Sequence, residues 1–232
     1  MNFKKTLIPG ELIKRYKRFF VDIKIGNNTV IAHCPNTGSM LGLLKPGNKV
    51  WLSKSDDPKR KLKYTLQIIK DKNSKVGVNT HLTNKIVLNA LNNKVIKNFK
   101  NIDTVKQEIK FGKNTRFDFL VLEGSKKSFI EVKNVTLSRQ KKLAEFPDAV
   151  TSRGLKHIQE LLKAKKKGYK IYLLFVIQRD DCDKFELAKD LDPKYCELLT
   201  KAVKKKLNIL CYDCKFFAKG IKLNRKIKFK IR

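Results

Sequence analysis

Acidic side chains are scarce in this sequence. Asp and Glu together number 21 against 54 Lys and Arg, for a formal net charge of +33. That imbalance disfavours a basic partner and makes the surface attractive to polyanions, nucleic acid first and an anionic membrane second. Lys, Asn and Ile are all abundant, however, so part of the excess reads as a solvated lysine surface with no partner. Long apolar runs are also missing. No stretch approaches the ~20 residues that span a bilayer, and Thr6–Gly10, after the basic Met1–Lys5, is too short for a signal core. The expectation is a cytoplasmic protein with no membrane partner. Cysteines number five, an odd count that argues against a disulfide framework in a reducing compartment. Cys211 and Cys214 form a single CxxC, whereas a structural zinc needs four ligands. Cys182 and Cys196 lie in no second CxxC, so these thiols read as small apolar residues. Neither a helix-turn-helix pattern nor an internal repeat is present.

What is present suffices for a folded core. Hydrophobic residues make up 41% of 232 positions, enough for one large domain or two modest ones. Up to about residue 80 the pattern is all-β. Val21–Ile25 alternates apolar and polar residues, Thr29–His33 resumes after Asn27-Asn28, and Lys49–Leu52 and Tyr64–Ile69 look like further strands. Pro35–Gly38 and Pro46–Asn48 punctuate them. A basic barrel of the OB type is the expectation for residues 1–80.

From residue 81 the pattern changes. Asn84–Ile96 has helical spacing with Thr83 as a cap. Three strand-like runs follow, Val105–Phe111, Phe117–Leu122 and Ser128–Val135, with turn signals at Gly112-Lys113-Asn114 and Glu123-Gly124-Ser125. Residues 152–167 form an amphipathic helix with Leu155, Ile158, Leu161 and Leu162 as its stripe, stopped by Gly168. Lys170–Ile177 suits a strand buried on both faces. Pro193–Lys206 reads as a helix and Asn208–Tyr212 as a last core strand. The order predicts an α/β sandwich with a mixed sheet over residues 81–232, α+β overall. The tail, ending in Ile227-Lys228-Phe229-Lys230-Ile231, reads as an edge strand that could return to the first domain.

One constellation carries chemistry. In Glu131-Val132-Lys133 the acid and the lysine share one strand face. On the preceding strand Asp118 shares a face with Arg116 and Leu120, with Phe117, Phe119 and Val121 opposite. A meander sets Asp118 beside Glu131. Two adjacent carboxylates repel each other unless a hard cation lies between them. Mg²⁺ or Mn²⁺ could be held by Asp118, Glu131 and the Val132 carbonyl, with Glu108 as a further candidate ligand. The metal would polarise a phosphate and its bound water, and Lys133 would stabilise the growing charge.

Around this set lie candidate nucleic-acid contacts. Arg153 and His157, four apart, share a helix face. Asn36 and Thr37, in a Gly-containing turn, offer donors to a phosphate or a base. Lys59, Arg60 and Lys61 form a basic loop near Trp51 and Tyr64, which suits a strand-tracking groove with stacking platforms. Asp148 is a candidate to join the site or, the favoured reading, to order its own turn through a local hydrogen bond, and His33 and His81 read as structural or surface residues.

A helix, a three-stranded meander bearing Asp and then Glu-x-Lys, a helix and a strand together resemble the PD-(D/E)xK nuclease superfamily. That resemblance implies metal binding by Asp118 and Glu131 and catalytic support by Lys133. A narrower resemblance runs along nearly the whole chain, through His33–Met40, Gly77–Thr80, Arg116–Phe119, Glu131–Leu137, Phe146–Ala149, Arg153-Gly154 and Lys156-His157. These segments are similar to the prokaryotic sugar fermentation stimulation protein A family. The family implies an OB-type domain joined to a PD-(D/E)xK-type domain, acting on DNA or RNA. The alternative it carries is a non-catalytic DNA-binding regulator linked to sugar metabolism, and an RNA-associated binding module is a third reading.

Overall fold

The computed structural model describes residues 1–112 and 115–229. Its first half is a barrel. Strands β1 (Ile8–Tyr16), β2 (Phe20–Ile25), β3 (Asn28–His33), β4 (Lys49–Lys54), β5 (Tyr64–Asp71) and β6 (Ser74–Gly77) hydrogen-bond in the order β3-β2-β1-β4-β5-β6. A parallel β3–β5 pairing, Ala32↔Tyr64 and His33↔Thr65, closes it. Alternation drives the closure. Val21 and Ile23 of β2, Val50 and Leu52 of β4, and Leu66 and Ile69 of β5 all point into one dry core. β1 and β6 lack clean alternation in the sequence, and the expected strand set did not include them.

A 3₁₀ turn (Thr80–Leu82) leads into α1 (Thr83–Asn92). Then follow β7 (Thr104–Phe111), β8 (Thr115–Glu123), β9 (Lys126–Val135), β10 (Leu137–Gln140) and β11 (Leu143–Phe146). The chain continues through α2 (Ser152–Lys166), β12 (Lys170–Ile177), β13 (Lys184–Leu187), α3 (Pro193–Lys204), β14 (Asn208–Phe217), β15 (Gly220–Lys226) and β16 (Lys228–Phe229). The main sheet has the order β15-β14-β12-β9-β8-β7 and is mixed: β9, β12 and β14 run parallel, with antiparallel strands on both flanks. A smaller sheet, β10-β11-β13-β16, joins the same side as α2 and α3. None of its strands except the tail's was anticipated, because each is four residues or fewer.

The sheet separates two cores. Ile158, Leu161, Tyr195 and Leu199 from α2 and α3 pack on one face. Ile86, Val87, Ala90 and Leu91 from α1 pack on the other. The all-apolar β12 supplies both, sending Ile171, Leu173, Phe175 and Ile177 one way and Tyr172, Leu174 and Val176 the other.

Several expectations need correction. Thr83 is no cap: it lies inside α1, and its hydroxyl is bound to Asn134 and Gln178. The helix ends at Asn92, since Lys94 takes φ +55° before Val95 and Ile96 fold back onto the core. As far as the described residues reach, the C-terminal tail pairs with the sandwich and not with the barrel. β15 pairs with β14, and β16 with β13. The crossing is made by the N-terminus, where Asn2 bridges Gly220 and Phe3 packs on the α1-side core. Cys211 and Cys214 lie three residues apart on β14, so they face opposite cores and cannot share a zinc. Lys113, Asn114, Lys230 and Ile231, parts of a predicted turn and the predicted tail, lie outside the described residues.

Candidate active site

The β8–β9 ladder reaches Phe119↔Ile130, which sets Asp118 opposite Glu131 one step further. Asp118 Oδ2 accepts the Val132 N–H at 2.7 Å, and its Oδ1 accepts the Asn84 side-chain amide of α1 at 2.8 Å. In a strand the N–H and C=O of one residue point to the same side, so the Val132 carbonyl is directed toward Asp118. Lys133 Nζ lies 2.7 Å from Glu131 Oε1 and 3.1 Å from His157 Nδ1. His157 also meets Glu131 Oε1, and Arg153 Nε lies 3.4 Å from the far ring nitrogen. α2 thus lays Arg153 and His157 over the Glu131–Lys133 face of β9.

The local strand geometry departs from the sequence expectation. Phe117 enters the α2-side core, while Phe119 and Val121 enter the α1-side core. The strand turns over at Asp118, where Glu108 on neighbouring β7 holds φ +53°. This irregularity frees Asp118 from the regular alternation and brings it within reach of Asn84.

Burial raises the Asp118 pKa, with Glu131's charge adding to the effect, and together they push it to about 6. For Glu131 burial acts upward, but the Lys133 charge and the His157 and Lys133 hydrogen bonds outweigh it, and the net direction is down. Glu131 is only 2% exposed, yet its Oε2 has no hydrogen-bond partner. An ionised, desolvated oxygen without a partner, next to a second carboxylate, is costly unless a cation balances it. The residues therefore fit a hard divalent ion. Among the described residues no group of three or more His, Cys, Asp or Glu is placed to hold a metal. Glu108 borders the cleft but does not complete a three-carboxylate set. Any further oxygen ligand must come from the Val132 carbonyl, water or substrate.

The pair lies in a cleft of about 930 Å³ whose walls carry Lys110, Arg116, Lys133, Arg153 and Lys156, with Thr37 and His81 reaching in from the barrel side. Of the residues expected to touch nucleic acid, Thr37 and Arg153 line this cleft. His157 does too, but it is buried against Glu131 rather than held out to solvent. Asn36 is buried and its Oδ1 closes a local turn by accepting from Gly38 N. Lys59 and Lys61 are exposed on the β4–β5 loop outside the cleft, and Arg60 donates to Thr65 Oγ1. Trp51 is no open stacking platform: it packs against the α1-side core, and Tyr64 against the barrel core. Asn84, half-buried in the first turn of α1, was missed, as no sequence motif signals an amide there. Asp148 was assigned to its own turn. It instead accepts from Met40 N and Ser39 Oγ, tying the barrel's Asn36–Met40 loop to the sandwich.

An OB barrel followed by a mixed-sheet domain of nuclease-like fold, with Asp and Glu-x-Lys meeting on adjacent central strands, defines the class. A family model described as the SfsA N-terminal OB domain matches residues 13–78, and one described as the sugar fermentation stimulation protein RE domain matches residues 81–220. The chain belongs to the sugar fermentation stimulation protein (SfsA) family. It is 58% identical over 228 residues to the sugar fermentation stimulation protein homolog of Pelagibacter ubique, covering 98% of each chain. The homolog of Maricaulis maris is 41% identical, with 100% of this chain and 99% of that one covered. The solved structure of Pyrococcus furiosus SfsA in complex with Ca²⁺ shares the fold, with a TM-score of 0.90, 24% identity, and coverage of 100% of this chain and 98% of that one. No helix among the described residues is long and apolar enough to cross a membrane.

Proposed function

We infer that the protein is a divalent-metal-dependent nuclease that hydrolyses phosphodiester bonds of DNA or RNA. One observation carries the reading: the buried, unpartnered Glu131 Oε2 beside an Asp118 whose charge is disfavoured. A module that only binds a polyanion gains nothing from a buried and a half-buried carboxylate side by side in its basic cleft. This argues against the regulator and against the RNA-associated binding module. The Pyrococcus furiosus relative was solved with Ca²⁺, an ion that takes oxygen ligands of this kind.

Asp118, Glu131 and the Val132 carbonyl would hold Mg²⁺ or Mn²⁺. When bound, that ion supplies Lewis acidity toward a phosphate oxygen and lowers the pKa of water. The remaining work falls to the chain. Asn84 and the Val132 N–H orient Asp118. His157 and Lys133 hold Glu131 in one rotamer. Lys133, anchored by both neighbours, keeps its ammonium over the cleft, where it stabilises charge growing on a phosphate. Arg116, Arg153 and Lys156 attract the flanking phosphates.

The test is incubation of purified protein with single- and double-stranded DNA and RNA, with Mg²⁺, with Mn²⁺ and with chelator. Cleavage should require metal. It should fall by about 100-fold or more in Asp118→Ala and in Lys133→Ala. Salt-sensitive binding with no cleavage of any substrate would instead favour the regulator.

A further inference from the structure

A second cavity adjoins the cleft. It holds about 720 Å³ between the N-terminal segment, β4 and β5 of the barrel, and the start of α1. His81 of the 3₁₀ turn lines both spaces and stands where they meet. The cavity's walls carry Lys4, Lys5, Lys54, Arg60 and Lys85 against two acids, Asp56 and Asp57. Lys5 is paired with Asp56 at 2.6 Å, and the Asp57 carboxylate accepts from the Lys59 N–H in a local turn. The remaining cations, Lys4, Lys54, Arg60 and Lys85, line the cavity from the N-terminal segment, β4, the β4–β5 loop and α1.

The interior differs from a merely solvated basic surface. At the junction the rings of His33 and His81 lie 6.4 Å apart and tilted. Burial first, then Arg60 and His81, hold the His33 pKa below its ordinary value, which leaves an uncharged aromatic face for stacking. Behind it, Gln67 and Asn79 form a buried amide floor. Asn79 Nδ2 donates to Gln67 Oε1, and Gln67 Nε2 donates to Ser53 Oγ, both at 2.8 Å. One amide hydrogen on Gln67 and the Ser53 hydroxyl proton keep spare capacity toward a base edge. A positive groove with aromatic faces is the recognition chemistry of single strands. A cavity of this size encloses a ligand of nucleotide scale.

We propose that this groove binds a single-stranded polynucleotide and leads it across His81 into the carboxylate cleft. The proposal rests on the nuclease reading for its second half only. Trp51 and Tyr64 take no part, and Arg60 is the one residue of the Lys59–Lys61 loop that does.

The test is fluorescence anisotropy in EDTA, with labelled single-stranded DNA, single-stranded RNA and the duplex of the same sequence. Lys54→Glu/Lys85→Glu alters two exposed groove residues, and Lys126→Glu/Lys166→Glu is a charge-matched control on the sandwich. Lys4→Glu samples the facing wall independently. The groove pair should lose about tenfold or more in single-strand affinity, and its salt slope should fall by about 1.4, or ~0.7 per lost phosphate contact. Its duplex affinity should fall no further than the control's. His81→Ala should weaken single-strand binding by about fivefold or more. Equal losses in groove and control variants, or duplex loss matching single-strand loss, would overturn the groove. Wild-type affinity in His81→Ala would overturn the route. Groove-dependent binding without cleavage by the wild-type protein would sink the nuclease reading and leave the groove standing. The DNA and RNA arms show which sugar is preferred.

Discussion

At the residue scale, Asp118 sets function against stability. Its carboxyl is harder to ionise in the folded, metal-free protein than in the unfolded chain, with a pKa pushed from the ordinary 3.8 to about 6. A group raised in this way contributes stability that is complete below about pH 3.8 and is lost as pH climbs through about 6. The full penalty is at most roughly 3 kcal/mol. Asp118→Asn removes the charge. Asn84 can turn its amide to accept from the new one, so the hydrogen bonds survive. In chelator at neutral pH, Asp118→Asn should therefore melt higher than wild type by the equivalent of about 1–3 kcal/mol. The difference should shrink as pH is lowered toward about 4. Mg²⁺ should raise the melting temperature of the wild-type protein alone. Parallel melting curves across that pH range would refute the argument.

At the element scale, α2 and α3 are held by one buried carboxylate. Asp192 caps α3 by accepting from Tyr195 N at 3.0 Å, and its second oxygen accepts from Thr151 N at 2.8 Å. Thr151 in turn caps α2 through Gly154 N. The two helices touch where Gly154 faces Tyr195, and a Cβ there would come within 2.9 Å of the tyrosine ring. Since α2 delivers Arg153 and His157 to Glu131, the cap supports the site from a distance. Asp192→Ala leaves one buried and one half-buried N–H without their acceptor and should cost about 1–3 kcal/mol. Chemical denaturation measures this as a lowered midpoint with an unchanged slope. Asp192→Asn, which keeps one acceptor, should lose less.

At the scale of the whole molecule, the barrel and the sandwich are locked along β6. Gly77 N donates to Gln178 O, Val76 bridges Arg179, and a side chain at Gly77 would run into Gln178. Arg179 reaches Asp71 of the barrel and Asp181 of the sandwich at 2.8 Å each, with its side chain 3% exposed. It also donates to the Thr136 carbonyl. Removing one partner from such a buried set strands the others. Arg179→Met should cost about 3–5 kcal/mol. If this seam couples the halves, denaturant unfolding should also separate into two steps. A single transition at the wild-type midpoint would show that the seam carries little energy. The same seam holds the second groove against the cleft, so the variant should also weaken single-strand binding.

The sequence by itself determined whatever depends on periodicity and short-range chemistry. The alternation of Val21–Ile25, the unbroken apolar run of β12 and the stripe of α2 identify elements, because burying each face requires those spacings. Glu131-Val132-Lys133 was legible for the same reason: a pleated strand puts residues two apart on one face. Tertiary structure alone decided what depends on distant chain segments meeting. The turnover of β8 at Asp118, the amide of Asn84, the cradle of His157 around Glu131 and the Asp148 clasp each join residues whose sequence separation conceals the contact. The tail's choice of β13 and β14 over the barrel, and the split of Cys211 and Cys214 between two cores, follow from which faces remained uncovered once the sheet had formed. Local pattern specifies a face, and only packing specifies what lies against it.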